Sequence, residues 1–238
     1  MRHLEVIAHK GAFAESPVLP ENSRAAFERA RTTGVDWVEF DVHTTRDGVL
    51  VVIHDGTVDR VTCGTGAVSD IAFAELRALR LADGSQIPTA DETLEMLRTG
   101  AGAYLEIKNA IPEVVVDTLS RQTMIGNTVI YGRYNELARL RELNVNLRLM
   151  MNRPPSDYQT FREVVGTIRP EVFGSSWRDI SREQVDRVHD VGARLWVNTL
   201  GTDQPDGWAR IIDLGGDALE TDHPSACLAW LREQGLRR

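Results

Sequence analysis

The sequence has few cysteines and no long apolar segment. Its 238 residues include two cysteines, Cys63 and Cys227, and neither belongs to a Cys-x-x-Cys pair, so a disulfide framework is excluded. No apolar run approaches the roughly 18 residues that cross a membrane. The first residues also lack the apolar core of a signal peptide. We therefore expect no stable membrane insertion and a cytoplasmic location.

The sequence also lacks an excess of basic residues. It carries 27 Lys and Arg against 35 Asp and Glu, a net charge of −8. This balance argues against a nucleic-acid partner, which would need a clustered basic face, but it permits a small anionic substrate. A hydrophobic fraction of 42% with 26% charged residues excludes wholesale disorder. The length suits one domain over residues 1–238.

Short β-rich segments alternate with amphipathic stretches of helical length. The predicted strands are residues 5–9, 37–43, 49–54, 104–108, 128–131, 147–151, 172–175, 195–198 and 218–221. The predicted helices are residues 22–33, 90–97, 112–120, 135–143, 157–168, 181–190, 206–214 and 224–234. This alternation predicts βαβ units around a parallel sheet.

The number of segments favours a TIM (β/α)8 barrel. Asp47 and Gly48 mark a turn, so segment 49–54 is predicted to pair with the second strand as a hairpin, which leaves eight βα strands. The alternative is an open doubly wound sheet, but no Gly-x-Gly-x-x-Gly motif follows the first strand. Segment 56–88 interrupts the alternation of strands and helices and is predicted to be a short insertion in the second βα connection.

Ionisable residues fall on the inward face of two predicted strands. The strand period of two places Glu39 and Asp41 inside the barrel, together with Glu106 and Lys108. Buried carboxylates require a compensating cation, and an all-oxygen ligand set favours Mg²⁺ or Ca²⁺ over Zn²⁺. In the alternative interpretation, Lys108 neutralises one carboxylate and the others meet solvent or arginine.

Two histidines end predicted strands. His9 closes the first strand and His54 closes segment 49–54, so both are expected at the rim that carries active sites in barrels of this kind. Two histidines beside carboxylates indicate a general acid and base pair. Trp196 and Asn198 share a strand face, which predicts an apolar wall and a hydroxyl-binding donor. Trp196 is alternatively a residue of the barrel core.

The order and spacing of several motifs resemble the glycerophosphodiester phosphodiesterase family. The matching motifs are His9-Lys10-Gly11, Pro20-Glu21-Asn22, Glu39-Phe40-Asp41, His54-Asp55, Glu106-Ile107-Lys108 and Thr221-Asp222-His223-Pro224. They extend over nearly the whole chain. Each tripeptide is unspecific alone, whereas their combination is specific.

The resemblance implies a metal-dependent barrel that hydrolyses a glycerophosphodiester to glycerol 3-phosphate and an alcohol. It implies that Glu39, Asp41 and Glu106 hold a divalent ion, Mg²⁺ or Ca²⁺. His9 and His54 would serve as acid and base. The residues implied to bind substrate and phosphate are Lys10, Lys108, Glu21 and Asn22, in addition to Trp196 and Asn198.

One departure from the family pattern concerns the phosphate. Lys10 stands where the family has arginine, and lysine lacks the planar fork that grips phosphate through two hydrogen bonds. This departure favours a phosphodiesterase for another sugar or polyol as an alternative. Two further alternatives are a phospholipase-D-like enzyme that forms a cyclic phosphate and a non-catalytic phosphodiester-binding barrel. The sequence leaves open the number of ions, the role of each histidine and the oligomeric state.

Overall fold

The strands form a closed barrel. The computed structural model describes residues 4–237. The strands are β1 (Glu5–Ala8), β2 (Trp37–Thr44), β3 (Leu50–Val52), β4 (Gly102–Asn109), β5 (Thr128–Tyr131), β6 (Arg148–Asn152), β7 (Val172–Ser176), β8 (Arg194–Asn198) and β9 (Ala218–Thr221). Eight strands are parallel in the order β1-β9-β8-β7-β6-β5-β4-β2, and β1 pairs with β2 to close the ring. Strand β3 pairs antiparallel with the end of β2. The predicted TIM barrel is confirmed.

Helices follow the strands around the outside. They are α1 (Arg24–Thr33), α2 (Phe73–Ala78), α3 (Ala90–Leu97), α4 (Pro112–Arg121), α5 (Tyr134–Leu143), α6 (Tyr158–Thr167), α7 (Arg182–Asp190), α8 (Pro205–Leu214) and α9 (Pro224–Glu233). Asp157 and Ser181 cap α6 and α7 as their residue types predict. The predicted start of the first helix at Asn22 is wrong, because the Ser23 side chain accepts from Ala26 N and caps α1. None of the helices within residues 4–237 has both the length and the apolar character that a membrane span requires.

Two apolar layers lie on opposite sides of the barrel wall. Outward residues such as Phe40 and Leu105 pack beneath the helices. The inner layer comprises Ile7, Trp37, Tyr104, Val129, Met150, Val172, Trp196 and Ala218. Within it, the Trp196 ring lies 5.2 Å from Trp37 and 5.6 Å from Tyr104, measured between centroids. A Cβ at Gly102 would come within 2.2 Å of the Trp37 ring, which explains the glycine there. These side chains fill the barrel below the site.

The connection between β3 and α3 has a small core of its own. It contains α2 and a 3₁₀ turn at Val68–Asp70. The apolar residues in this core are Val51, Ile53, Val58, Val68, Leu76, Leu81 and Ile87. Thr89 then starts α3 through a capping box with Glu92. Because strand β3 and α3 anchor both ends, the segment is held at the rim where β2 and β4 end.

Candidate active site

Strands β2 and β4 bring the three predicted metal ligands together. Asp41 is paired with Glu106 in the sheet register, and Glu39 lies two residues before Asp41 on the same face. Glu39 and Asp41 are each 1% exposed. One carboxylate oxygen of each of the three residues lies within 4.8 Å of the others. Lys108 Nζ lies 2.5 Å from Glu106 Oε1 and 3.2 Å from Asp41 Oδ1.

Burial dominates the electrostatics of this group. Burial raises the pKa of Glu39 well above its usual range, and the charges of Asp41, Glu220 and Glu106 raise it further. The pKa of Glu106 is also raised, first by burial and then by Asp41. Burial opposes the charge on Lys108, but Asp41 and Glu106 outweigh it and raise the lysine pKa. The group therefore favours additional positive charge.

The loop after β1 holds the carboxylates from above. Lys10 N donates to Glu39 Oε2 at 2.7 Å, and Asn22 Nδ2 donates to Asp41 Oδ2 at 2.8 Å. Both loop residues adopt left-handed backbone, with φ of 50° at Lys10 and 54° at Asn22. Such strained backbone is typical of functional sites, where the surrounding structure holds the residue in its conformation. The Lys10 ammonium lies 3.6 Å from Glu21, and Asn22 is buried with its amide bound to Asp41.

His9 has a carboxylate partner at the end of β9. Its Nδ1 lies 2.8 Å from Asp222 Oδ1. Burial lowers the pKa of His9, but the hydrogen bond to Asp222 and the charges of Glu220 and Asp222 outweigh it, so the net pKa is raised. A carboxylate at Nδ1 fixes the ring orientation and leaves Nε2 for chemistry.

His54 has a similar partner in the connection after β3. Its Nδ1 lies 2.7 Å from Asp55 Oδ1. Arg60 then donates from Nε to Asp55 Oδ2 at 2.6 Å and from Nη2 to Glu21 Oε1 at 2.5 Å. These hydrogen bonds from Arg60 and His54 hold the pKa of Asp55 well below its usual range. Both predicted catalytic histidines are thus oriented by a carboxylate.

A cavity of about 240 Å³ opens between the two histidines. Its lining includes His9, His54, Glu106, Lys108, Trp196 and Asn198. Trp196 is 1% exposed and forms the floor, so it belongs to the barrel core and to the cavity wall alike. Asn198 Oδ1 accepts from Leu200 N, which leaves its amide nitrogen to donate. His43 Nε2 lies 3.2 Å from the His54 carbonyl and supports that loop.

Sequence reasoning missed Glu220. It pairs with Ile7 and Asn198 in the register of β9 and is 8% exposed. Burial raises its pKa to about 7, although His9 opposes the shift. The strand period of two places Ala218 and Glu220 on the same face, and this was the available signal, because Ala218 belongs to the inner layer. The supporting residues Asp55, Asp222 and Arg60 were likewise given no role. Asp55 directly follows its partner His54, whereas His9 and Glu21, the partners of Asp222 and Arg60, lie far away in the sequence.

Comparison with known proteins agrees with this geometry. Residues 9–226 match the model of the glycerophosphoryl diester phosphodiesterase family. The chain is 28% identical over 249 residues to a glycerophosphodiester phosphodiesterase of Caldanaerobacter subterraneus subsp. tengcongensis, covering 97% of this chain and 98% of that protein.

Solved structures show the same fold. A glycerophosphodiester phosphodiesterase from Agrobacterium tumefaciens has 27% identity and a TM-score of 0.83, covering 95% of this chain and 99% of that one. A phosphodiesterase from Oleispira antarctica, solved with the product sn-glycerol-3-phosphate, has 23% identity and a TM-score of 0.84, covering 96% of each chain. With residues 9–226 matched, the chain belongs to the glycerophosphoryl diester phosphodiesterase family and is a phosphoric diester hydrolase.

Proposed function

We propose that the chain hydrolyses a glycerophosphodiester to glycerol 3-phosphate and an alcohol, with a divalent ion and with His9 and His54 as acid and base. The observation that carries the proposal is the placement of both histidines, each held by a carboxylate, on one cavity with Lys108. Membership of the family supports the reaction class.

The residues present fit a divalent ion. Among residues 4–237, Glu39 Oε1 is buried without a hydrogen-bond partner, and a buried carboxylate oxygen of this kind is costly unless a cation meets it. The oxygen donors of Glu39, Asp41 and Glu106 are the type that Mg²⁺ and Ca²⁺ prefer. When bound, such an ion would neutralise negative charge that develops on the phosphoryl oxygens.

The protein side chains would bind the phosphate and carry out the proton transfers. A phosphodiester resists attack because its charge repels nucleophiles and its alkoxide leaves poorly. Lys108 is half-buried and charged, and it would hold a phosphate oxygen. One histidine would take a proton from the attacking water, and the other would protonate the leaving oxygen. Asp222 and Asp55 would keep both rings in position for these transfers.

Phosphorus NMR tests the proposal directly. Chelator-treated protein is given glycerophosphocholine with Mg²⁺ or Ca²⁺ added back, and the phosphorus-containing product is identified. Metal-restored release of glycerol 3-phosphate is expected. A transient five-membered cyclic phosphate would instead favour the phospholipase-D-like reaction. Full turnover with chelator present would refute the metal requirement.

Histidine variants test the acid–base assignment. His9→Ala and His54→Ala should each lower kcat by about 10²–10⁴-fold. His189→Ala is the matched control, because His189 also contacts an aspartate, Asp217, at 2.8 Å, but on α7 outside the cavity lining. Wild-type rates in either cavity variant would remove that histidine from the mechanism. The cytoplasmic location remains a prediction from the sequence.

A further inference from the structure

Glu220 is a buried carboxylate for which the proposed reaction has no use. It lies inside the barrel on β9, between Ile7 of β1 and Asn198 of β8, and it is 8% exposed. Thr199 N and Oγ1 donate to its backbone carbonyl, and no described residue donates a hydrogen bond to its carboxylate. The carboxylate borders the cavity between the two histidines, where its burial is costly without a cation.

A second unpartnered atom points to the same place. Glu39 Oε1 is fully buried and lacks a hydrogen-bond partner within residues 4–237. One ligand atom each of His9, Glu39 and Glu220 lies within 4.8 Å of the others. Lys108 contacts Glu106 and Asp41 and so neutralises the opposite side of the carboxylate group. The side formed by Glu39 and Glu220 faces His9.

The donor types differ from those of the first site. His9 contributes a nitrogen, and its Nδ1 is already bound to Asp222. A histidine oriented by a carboxylate through one nitrogen, with the other nitrogen available, is the usual arrangement of a metal-bound histidine. One imidazole nitrogen and two carboxylates suit Zn²⁺, whose sites of three protein ligands keep a fourth position for water.

We propose that His9, Glu39 and Glu220 form a second cation site, which binds Zn²⁺ and shares Glu39 with the first site. Occupation of this site engages the His9 nitrogen that proton transfer requires. Zn²⁺ at this position therefore inhibits turnover, while Mg²⁺ or Ca²⁺ at the all-oxygen site supports it. The inhibitory effect rests on the proposed role of His9, whereas the binding of Zn²⁺ does not.

Counting ions tests the site independently of activity. Wild-type protein saturated with Mg²⁺ is equilibrated with Zn²⁺, and bound zinc per chain is measured by elemental analysis and calorimetry. Glu220→Gln should bind one zinc ion fewer than wild type, or bind it at least about tenfold more weakly. Glu163→Gln, the same charge change on the exposed face of α6, is the matched control and should bind as wild type does.

A second variant guards against misfolding. Glu220→Leu removes the carboxylate and adds an apolar side chain beside the inner layer, so it should show the same loss of zinc with an unchanged circular dichroism spectrum. In both variants, half-inhibition by Zn²⁺ should require at least about tenfold more metal. Equal zinc stoichiometry and affinity in wild type and both variants would overturn the second site. Absence of any metal-dependent turnover, with the zinc difference preserved, would instead refute the proposed function.

Discussion

The side chains of His9 and Asp222 lie 213 positions apart in the sequence and meet 2.8 Å apart across the seam between β1 and β9. The seam is where the first and last strands of the barrel pair. The contact that orients a proposed acid–base residue therefore depends on closure of the barrel.

Asp222→Asn should lower kcat without a comparable change in KM. The variant keeps the shape of the side chain but removes the charge that favours protonated His9, so the His9 pKa should fall. The measurement is the pH–rate profile, in which the limb that belongs to His9 should move to lower pH. A wild-type profile would show that Asp222 has no influence on the transfer.

Arg60 is predicted to position His54 through Asp55. Arg60→Lys keeps the charge but loses the two-point contact with Asp55 and the simultaneous contact with Glu21. We expect kcat to fall by about tenfold, the equivalent of one charged hydrogen bond. Arg139→Lys is the control, because Arg139 on α5 also contacts two carboxylates, Glu113 and Glu142, away from the cavity. A larger loss of kcat in Arg60→Ala than in Arg60→Lys would show that the positive charge alone partly maintains the position of His54. An unchanged kcat in both variants would exclude a positioning role for Arg60.

The metal-free protein should lose stability as the pH rises from about 4.5 towards 7. The pKa of folded Glu220 is about 7, above the ordinary value of 4.5, so the folded state holds this proton more tightly than the unfolded state does. The stabilisation is therefore present at low pH and is lost through this window. The raised pKa values of His9, Glu39 and Glu106 act in the same direction. Unfolding by urea in chelator at pH 5 and at pH 7.5 should show the decline, of which Glu220 accounts for up to about 3 kcal/mol.

Glu220→Gln provides the comparison for this pH effect. The variant has no titrating group at position 220, so its unfolding free energy should decline less over the same interval. An identical decline in wild type and variant would assign the effect to other groups.

Trp196→Ala should destabilise the protein by about 3–5 kcal/mol, because the ring is fully buried between Trp37 and Tyr104. Urea unfolding monitored by far-UV circular dichroism measures the change. Trp230→Ala, on the partly buried face of α9, should cost less. A loss below about 1 kcal/mol at Trp196 would contradict its role as the floor of the barrel.

The fold was largely predictable from periodicity. Each inward and outward alternation, such as Glu39 and Asp41 against Val38 and Phe40, follows from strand geometry alone. The bounds were less accurate, because backbone pairing extends β4 to Gly102 and Asn109, where the side-chain pattern gives little signal.

The partners of the site residues were not predictable in the same way. The contacts of Arg60 with Glu21 and of Asp222 with His9 join loops that only the closed barrel brings together. Glu220 was missed because a single carboxylate near the end of a short apolar strand resembles a solvent-exposed residue at a strand end. Its position on the same face as Ala218 identifies it as inward-facing, once Ala218 is known to lie inside the barrel.

The aromatic floor made by Trp37, Tyr104 and Trp196 has a kinetic consequence. These rings close the barrel beneath the site, so the cavity communicates with solvent at the rim of the two histidines. In the proposed reaction, substrate would enter and both products would leave by this route. A product fragment held against the floor would occupy the place of the next substrate, so it should act as a competitive inhibitor.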